Sequence, residues 1–98
     1  MDYSTITELP RGFQLKEPIP VETGRDFFGG ELFQARAMSI DPLLIGFGID
    51  EEVAKKDLAA KLASFFNASN SYPECFPPEA VYKNNVAANV RQYIGYVR

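Results

Sequence analysis

Histidine is absent from the chain, and that absence removes more chemistry than any residue present supplies. A Ser–His or Cys–His nucleophile pair cannot form within the chain, and no imidazole is available as a general base. There is one cysteine, Cys75. It permits no internal disulfide and no Cys/His zinc site, and beside the acidic Glu74 it reads as an inert thiol. No apolar run approaches the length of about 18 residues that a membrane-spanning helix needs. The opening MDYSTITELPRG lacks a basic segment followed by an apolar one, so no secretory signal is expected. With a single cysteine, a reducing cytoplasm, bacterial or that of a host cell, is the natural setting. The lysines and arginines form no cluster in the sequence and the formal net charge is −3, which predicts no direct nucleic-acid contact. The carboxylates fall mostly in turns and on the solvent side of a helix, where a solvated face explains them. The chain reads as non-enzymatic, with no catalytic residue, no cofactor and no metal.

What is present reads as one α+β domain over residues 1–98, with 46% hydrophobic residues, enough to bury a core of its own. Its organising stretch is residues 41–67, DPLLIGFGIDEEVAKKDLAAKLASFFN. Leu43, Leu44, Ile45, Phe47 and Ile49 make a short apolar run entered by Asp41-Pro42, the pattern of a strand in the centre of a sheet or covered on both faces. Gly46 and Gly48 weaken a strand, so they mark a bulge, a close approach by another backbone or relief of crowding under a helix. Asp50 is a good N-cap and Glu51 and Glu52 suit a helix's first turn. Val53, Ala54, Leu58, Leu62, Phe65 and Phe66 then recur at helical spacing on one apolar face. Glu51–Lys55 and Glu52–Lys56 stand at the favourable spacing for ion pairs. A central amphipathic helix over about residues 50–67 follows.

Before it, residues 1–12 read as polar and irregular, residues 13–16 as a short strand, and Pro18 to Pro20 as an extended edge segment. Residues 21–28 are a strand with Gly24 as a bulge. Gly29-Gly30 signals a tight hairpin, and residues 31–38 alternate with Phe33, Ala35 and Ala37 on one face. An antiparallel sheet of about three to four strands is predicted against the helix. After it, residues 67–78 form a proline-rich loop whose Tyr72 and Phe76 are either pins into the core or contacts for a partner. Pro78 suits the first turn of a C-terminal helix over about residues 78–94, with Tyr82, Val86, Val90, Tyr93 and Val97 stepping along one face and Asn84-Asn85 as a point of interruption. Residues 91–98 also fit a strand. Tyr93 and Tyr96 are packing residues or an exposed aromatic patch.

The segment Gly48-Ile49-Asp50-Glu51-Glu52-Val53-Ala54, with Leu58 and Leu62 after it, resembles the strand-to-helix signature of HicB-type antitoxin domains. Gly48 takes the glycine position, Asp50 the cap, Glu52 an acidic position and Ala54 the alanine. The likeness covers residues 31–66, in β-β-β-α order, and it implies binding and masking of a nuclease toxin. The chain's small size, acidity and lack of catalytic residues are also similar to those of phage-encoded inhibitors of host defence, including anti-CRISPR proteins. Two functions are therefore expected. One is a binding module that occludes a protein partner, a nuclease or other nucleic-acid-processing protein, through Tyr72, Phe76, Tyr93 and Tyr96 or through an edge strand near residues 13–20. The other is a self-associating subunit, a homodimer or a virion component, joined through its aromatic C-terminal stretch.

Overall fold

The computed structural model describes residues 2–25 and 30–98. In chain order the elements are β1 (Asp2–Ile6), β2 (Phe13–Leu15), β3 (Ile19–Arg25), β4 (Phe33–Ala37), β5 (Asp41–Gly48), α1 (Glu51–Ser71), a 3-10 turn (Pro73–Cys75), α2 (Val81–Arg91) and β6 (Ile94–Tyr96). The architecture is α+β, as the sequence predicts. A four-stranded antiparallel sheet in the order β1-β3-β4-β5 carries α1 on one face, and β2 pairs antiparallel with β6 in a separate ribbon.

The start of α1 follows from its cap. Asp50 has extended backbone angles and its carboxylate accepts the Val53 N–H at 2.9 Å, which satisfies one of the free donors of the first turn. The face turned to the sheet is Ala54, Leu58 and Leu62, widened by Ala59, Ala63 and Phe66, all buried. Val53, placed on that face by its spacing, does lie toward Gly48 of the sheet, with its Cγ1 2.6 Å from where a methyl group there would stand, but at the open end of the face it is 40% exposed. The helix also runs on to Ser71, past the predicted end at Asn67. There the Ser69 hydroxyl donates to the Phe66 carbonyl at 2.8 Å, so a polar side chain is accommodated inside the last turns. The charges settle differently from the expected pairs. Lys55 reaches back to Glu52 at 3.1 Å and donates to the Ser4 hydroxyl of β1, while Asp57 pairs with Lys61 at 2.9 Å.

β5 departs most from expectation. It is an edge strand paired only with β4, not a central strand covered on both faces. Gly46 and Gly48 are its buried positions, and both lie under α1. A methyl group at Gly46 would sit 2.4 Å from the Ala54 carbonyl oxygen and 2.5 Å from the Leu58 nitrogen. The glycines therefore permit a close approach by the helix backbone. The irregularity in this strand lies elsewhere, where the register shifts between Arg36↔Ile45 and Ala37↔Asp41.

The N-terminal residues expected to be irregular include β1, in full register with β3 from Asp2↔Thr23 to Ile6↔Ile19. Of its five residues only Ile6 is buried, so the segment has no apolar period to read. Ile19 and Pro20 open an interior strand rather than running along an edge. β4 covers β3 only from Glu22 onward, so Pro20 lies where its missing N–H costs no ladder bond to β4. Gly24 is in register with Gln34, without a bulge. The end of the predicted strand at residues 26–28 and Gly29 of the hairpin signal lie outside the described residues.

The C-terminal helix is shorter than predicted. Pro78 and Glu79 occupy a turn in which the Ala80 N–H meets the Pro77 carbonyl, and the Asn84 amide donates to that same carbonyl at 2.8 Å. α2 thus begins at Val81, and Asn84-Asn85 do not interrupt it. It ends at Arg91 in tight turns, with Gln92 N–H on the Asn89 carbonyl and Tyr93 N–H on the Val90 carbonyl. The chain then enters β6, so helix and strand occur in succession. Val86 and Val90 are buried on the core with Ile94, whereas Tyr82 and Val97 are exposed. The Tyr82 hydroxyl donates to the Asp41 carboxylate, and that bond to the acid raises the Tyr82 pKa.

Candidate functional site: the outward face of the edge strand

The four aromatic residues singled out in the sequence do not form one patch. Tyr72 follows α1 and is 54% exposed. Phe76 is half-buried, edge-on to Phe65 with centroids 5.5 Å apart, and the Lys83 ammonium lies 4.8 Å from its ring centre. Tyr93 is half-buried against the core and its hydroxyl donates to Ser39 at 3.2 Å. Tyr96 is partly exposed, with its ring 4.9 Å from Phe66 and 5.7 Å from Phe13, and its hydroxyl donates to Asn67 at 2.8 Å. Phe65 and Phe66 are adjacent on α1 and so point about 100° apart. Phe76 and Tyr96 are thereby held on different sides of the helix. The residues of the 13–20 segment do not form one edge either, since β2 joins β6 and β3 lies inside the sheet.

The structure exposes a surface that the sequence reading missed. Side chains alternate across a strand, so with Gly46 and Gly48 beneath α1, Ile45 and Phe47 project from the opposite face. Leu43 and Ile49, at the two ends of this row, are 74% and 76% exposed, and Phe47 is 39% exposed. Val53, in the first turn of α1, does not join this row: its Cγ1 would lie 2.6 Å from a methyl group built on Gly48, on the inward side of the strand. From Ile45 onward the edge strand turns its large apolar residues outward and its glycines inward, while Leu44, before the register shift, packs against the core. The period-two pattern Ile45, Phe47, Ile49 against Gly46, Gly48 was visible in the sequence. Which face met the helix was not.

The backbone along the outer edge of β5 is already engaged. The Phe47 N–H donates to the Asp57 carboxylate at 2.8 Å, and Lys61 donates to the Ile45 carbonyl at 2.9 Å. Lys61 also lies 5.3 Å from the Phe47 ring centre. The bond from Lys61, then the one from the Phe47 N–H, hold the Asp57 carboxyl below its ordinary pKa. An ion pair laid across the edge blunts strand addition. This surface accordingly presents side chains rather than an open ladder.

Acidic residues stand at one end of the row, with Asp50, Glu51 and Glu52 following Ile49 directly. Among the described residues, no group of three or more Cys, Asp or Glu side chains is arranged to hold a metal ion, and no helix is long and apolar enough to cross a membrane. The thiol of Cys75 is free and exposed. No protein family, no characterised protein and no solved structure matches the chain.

Proposed function

We propose that the chain is a non-enzymatic binding module that covers the surface of a partner protein with the outward row Leu43, Ile45, Phe47 and Ile49. The observation that carries this reading is the exposure of Leu43 on β5 and of Ile49 just past its end, 74% and 76%, beside a stretch whose inward positions are Gly46 and Gly48. Apolar rows left open to solvent are a recurrent mark of protein interfaces. Asp50, Glu51 and Glu52 give the row an acidic end, which suits a partner whose apolar surface is rimmed by Lys or Arg. Such rims are common on proteins that handle nucleic acids. Masking that surface is antitoxin-like or anti-CRISPR-like inhibition by occlusion. The stretch similar to HicB-type antitoxin domains, residues 31–66, contains this row.

The test compares the wild-type chain with the double variant Leu43→Ser/Ile49→Ser in capture from host lysate at low and high salt. Both side chains are exposed, so unfolding of the variant should stay within about 1 kcal/mol of wild type. The expected result is a basic protein held by the wild type, weakened by salt and lost from the variant. A partner retained equally by the variant overturns the reading. A wild-type chain that captures only itself, as a defined oligomer dissociated by the double substitution, assigns the row to self-assembly instead.

A further inference from the structure

A second site lies on a different part of the molecule, where the β2–β6 ribbon meets the ends of both helices. β2 and β6 pair through Phe13↔Tyr96 and Leu15↔Ile94. That pairing brings Lys16 beside Arg91 and Arg98 around one open cleft of about 490 Å³, a volume within the range of small-molecule sites. Gln14 and Asn70 contribute amides to the wall, and the Tyr96 ring forms part of it. None of the described lining residues is acidic, although the chain holds 13 Asp and Glu against 10 Lys and Arg. None of the three cations has a carboxylate partner among the described residues, where ion pairs join only Lys55 to Glu52 and Lys61 to Asp57.

Two of the cations, Lys16 and Arg91, are held in place by hydrogen bonds, and the third, Arg98, is placed by its backbone alone. The Lys16 ammonium donates to the Arg91 carbonyl at 2.9 Å, at the C-terminal end of α2. The Arg91 guanidinium donates to the Ser69 carbonyl near the end of α1 at 3.4 Å. Val97 N–H donates to the Gly12 carbonyl at 3.0 Å and so anchors the backbone just before Arg98. Helix-end capping accounts for one donor on Lys16 and one on Arg91. Among the described residues it leaves the remaining N–H donors of both groups, and the whole head group of Arg98, unengaged. Cationic side chains gathered with no acidic side chain among the described residues of the lining repel one another and raise the local potential, which an anion relieves.

We propose that this cleft binds a phosphate-bearing small molecule. A phosphoryl group near pH 7 carries close to two negative charges and three acceptor oxygens, which matches three cationic donors, and guanidinium groups engage it in bidentate fashion. The apolar part of the wall, from Phe66, Ile94 and Tyr96, gives the body of such a ligand a surface to lie on. The site shares no residue with the outward row of β5 and stands or falls independently of it.

Isothermal titration of the full chain with inorganic phosphate, adenosine monophosphate and adenosine tests the proposal. Saturable binding of the monophosphate, with adenosine inert, is expected, and Lys16→Gln, Arg91→Gln or Arg98→Gln should each weaken it about tenfold or more, the loss of one charge-assisted contact. Equal affinity for inorganic phosphate identifies free phosphate as the source, while tighter binding of the monophosphate identifies a phosphorylated organic ligand. Arg98 lies outside every helix and strand, so its variant reports on the cleft without disturbing the fold. No saturable heat with either phosphate compound, or an affinity unchanged in all three variants, overturns the proposal.

Discussion

Replacing Gly46 by alanine is expected to destabilise the fold by about 3 kcal/mol or more, at or above the upper end of ordinary overpacking. The added methyl would lie 2.4 Å from the Ala54 carbonyl oxygen, 2.5 Å from the Leu58 nitrogen and 2.6 Å from the Leu58 Cβ. Two of these atoms are helix backbone, so no rotamer change makes room. Either α1 lifts away from β5 or the end of β5 bends outward, and both lose contacts made by Ala54, Leu58 and Leu62. For a domain of this size, each kcal/mol lowers the melting temperature by roughly 4–8 °C, so thermal unfolding should fall by more than about 10 °C. Gly95→Ala is the internal control. Its methyl would meet only the Lys16 Cε, at the ordinary distance of 3.5 Å, and a change within about 0.5 kcal/mol is expected. Equal melting temperatures for Gly46→Ala and wild type would show that the helix does not rest on this strand as described.

Leu58→Ala should cost about 2–5 kcal/mol in urea or thermal unfolding, the range for truncating a buried leucine. The side chain is fully buried in the interface between α1 and the sheet, near Gly46. A glycine opposite has no side chain to relax into the space, and the helix and strand backbones are tied into their own ladders. Collapse around the cavity is therefore restricted, which places the expected loss in the upper half of the range. The two substitutions should not rescue each other. Alanine at position 58 keeps the Cβ and the backbone nitrogen that a methyl at Gly46 would strike, so the double variant is expected to be less stable than either single one. A loss below about 1 kcal/mol for Leu58→Ala would contradict the packing.

These two positions also show what the sequence could disclose. The helix was legible because its signals are local. Asp50 caps it, Glu51 and Glu52 fill its first turn, and Ala54, Leu58, Leu62 and Phe66 repeat at its own period. The alternation in β4 was legible for the same reason. The run containing Gly46 and Gly48 alternates just as clearly, but alternation does not say which face is inward. The apolar residues are the natural choice for the core, and they lost it because the helix backbone comes closer than any side chain would allow. β1 has no pattern of its own and exists through its pairing with β3. β6 likewise depends on β2 at the other end of the chain, so residues 91–98 could not be resolved between helix and strand from local preference. The basic cleft is the extreme case. Lys16 stands far in sequence from Arg91 and Arg98, and a chain that shows no Lys/Arg cluster in one dimension assembles one in three.

Whether an aromatic residue of this chain is exposed is decided by packing, not by its local sequence. Phe76 finds Phe65, Tyr96 finds Phe66 and Phe13, and Tyr93 joins the margin of the core. Tyr72 is the one of the four whose ring is neither in the core cluster nor against another ring among the described residues. The surface that stays open instead is the strand the sequence assigned to the interior.

Amide hydrogen exchange on the chain alone and in complex with its captured partner tests that surface most directly. Added protection should appear across residues 43–53, with residues 72–76 and 93–96 exchanging as they do in the free chain. Protection confined to residues 72–76 or 93–96, with residues 43–53 unchanged, would contradict the assignment of the interface to the outward face of β5.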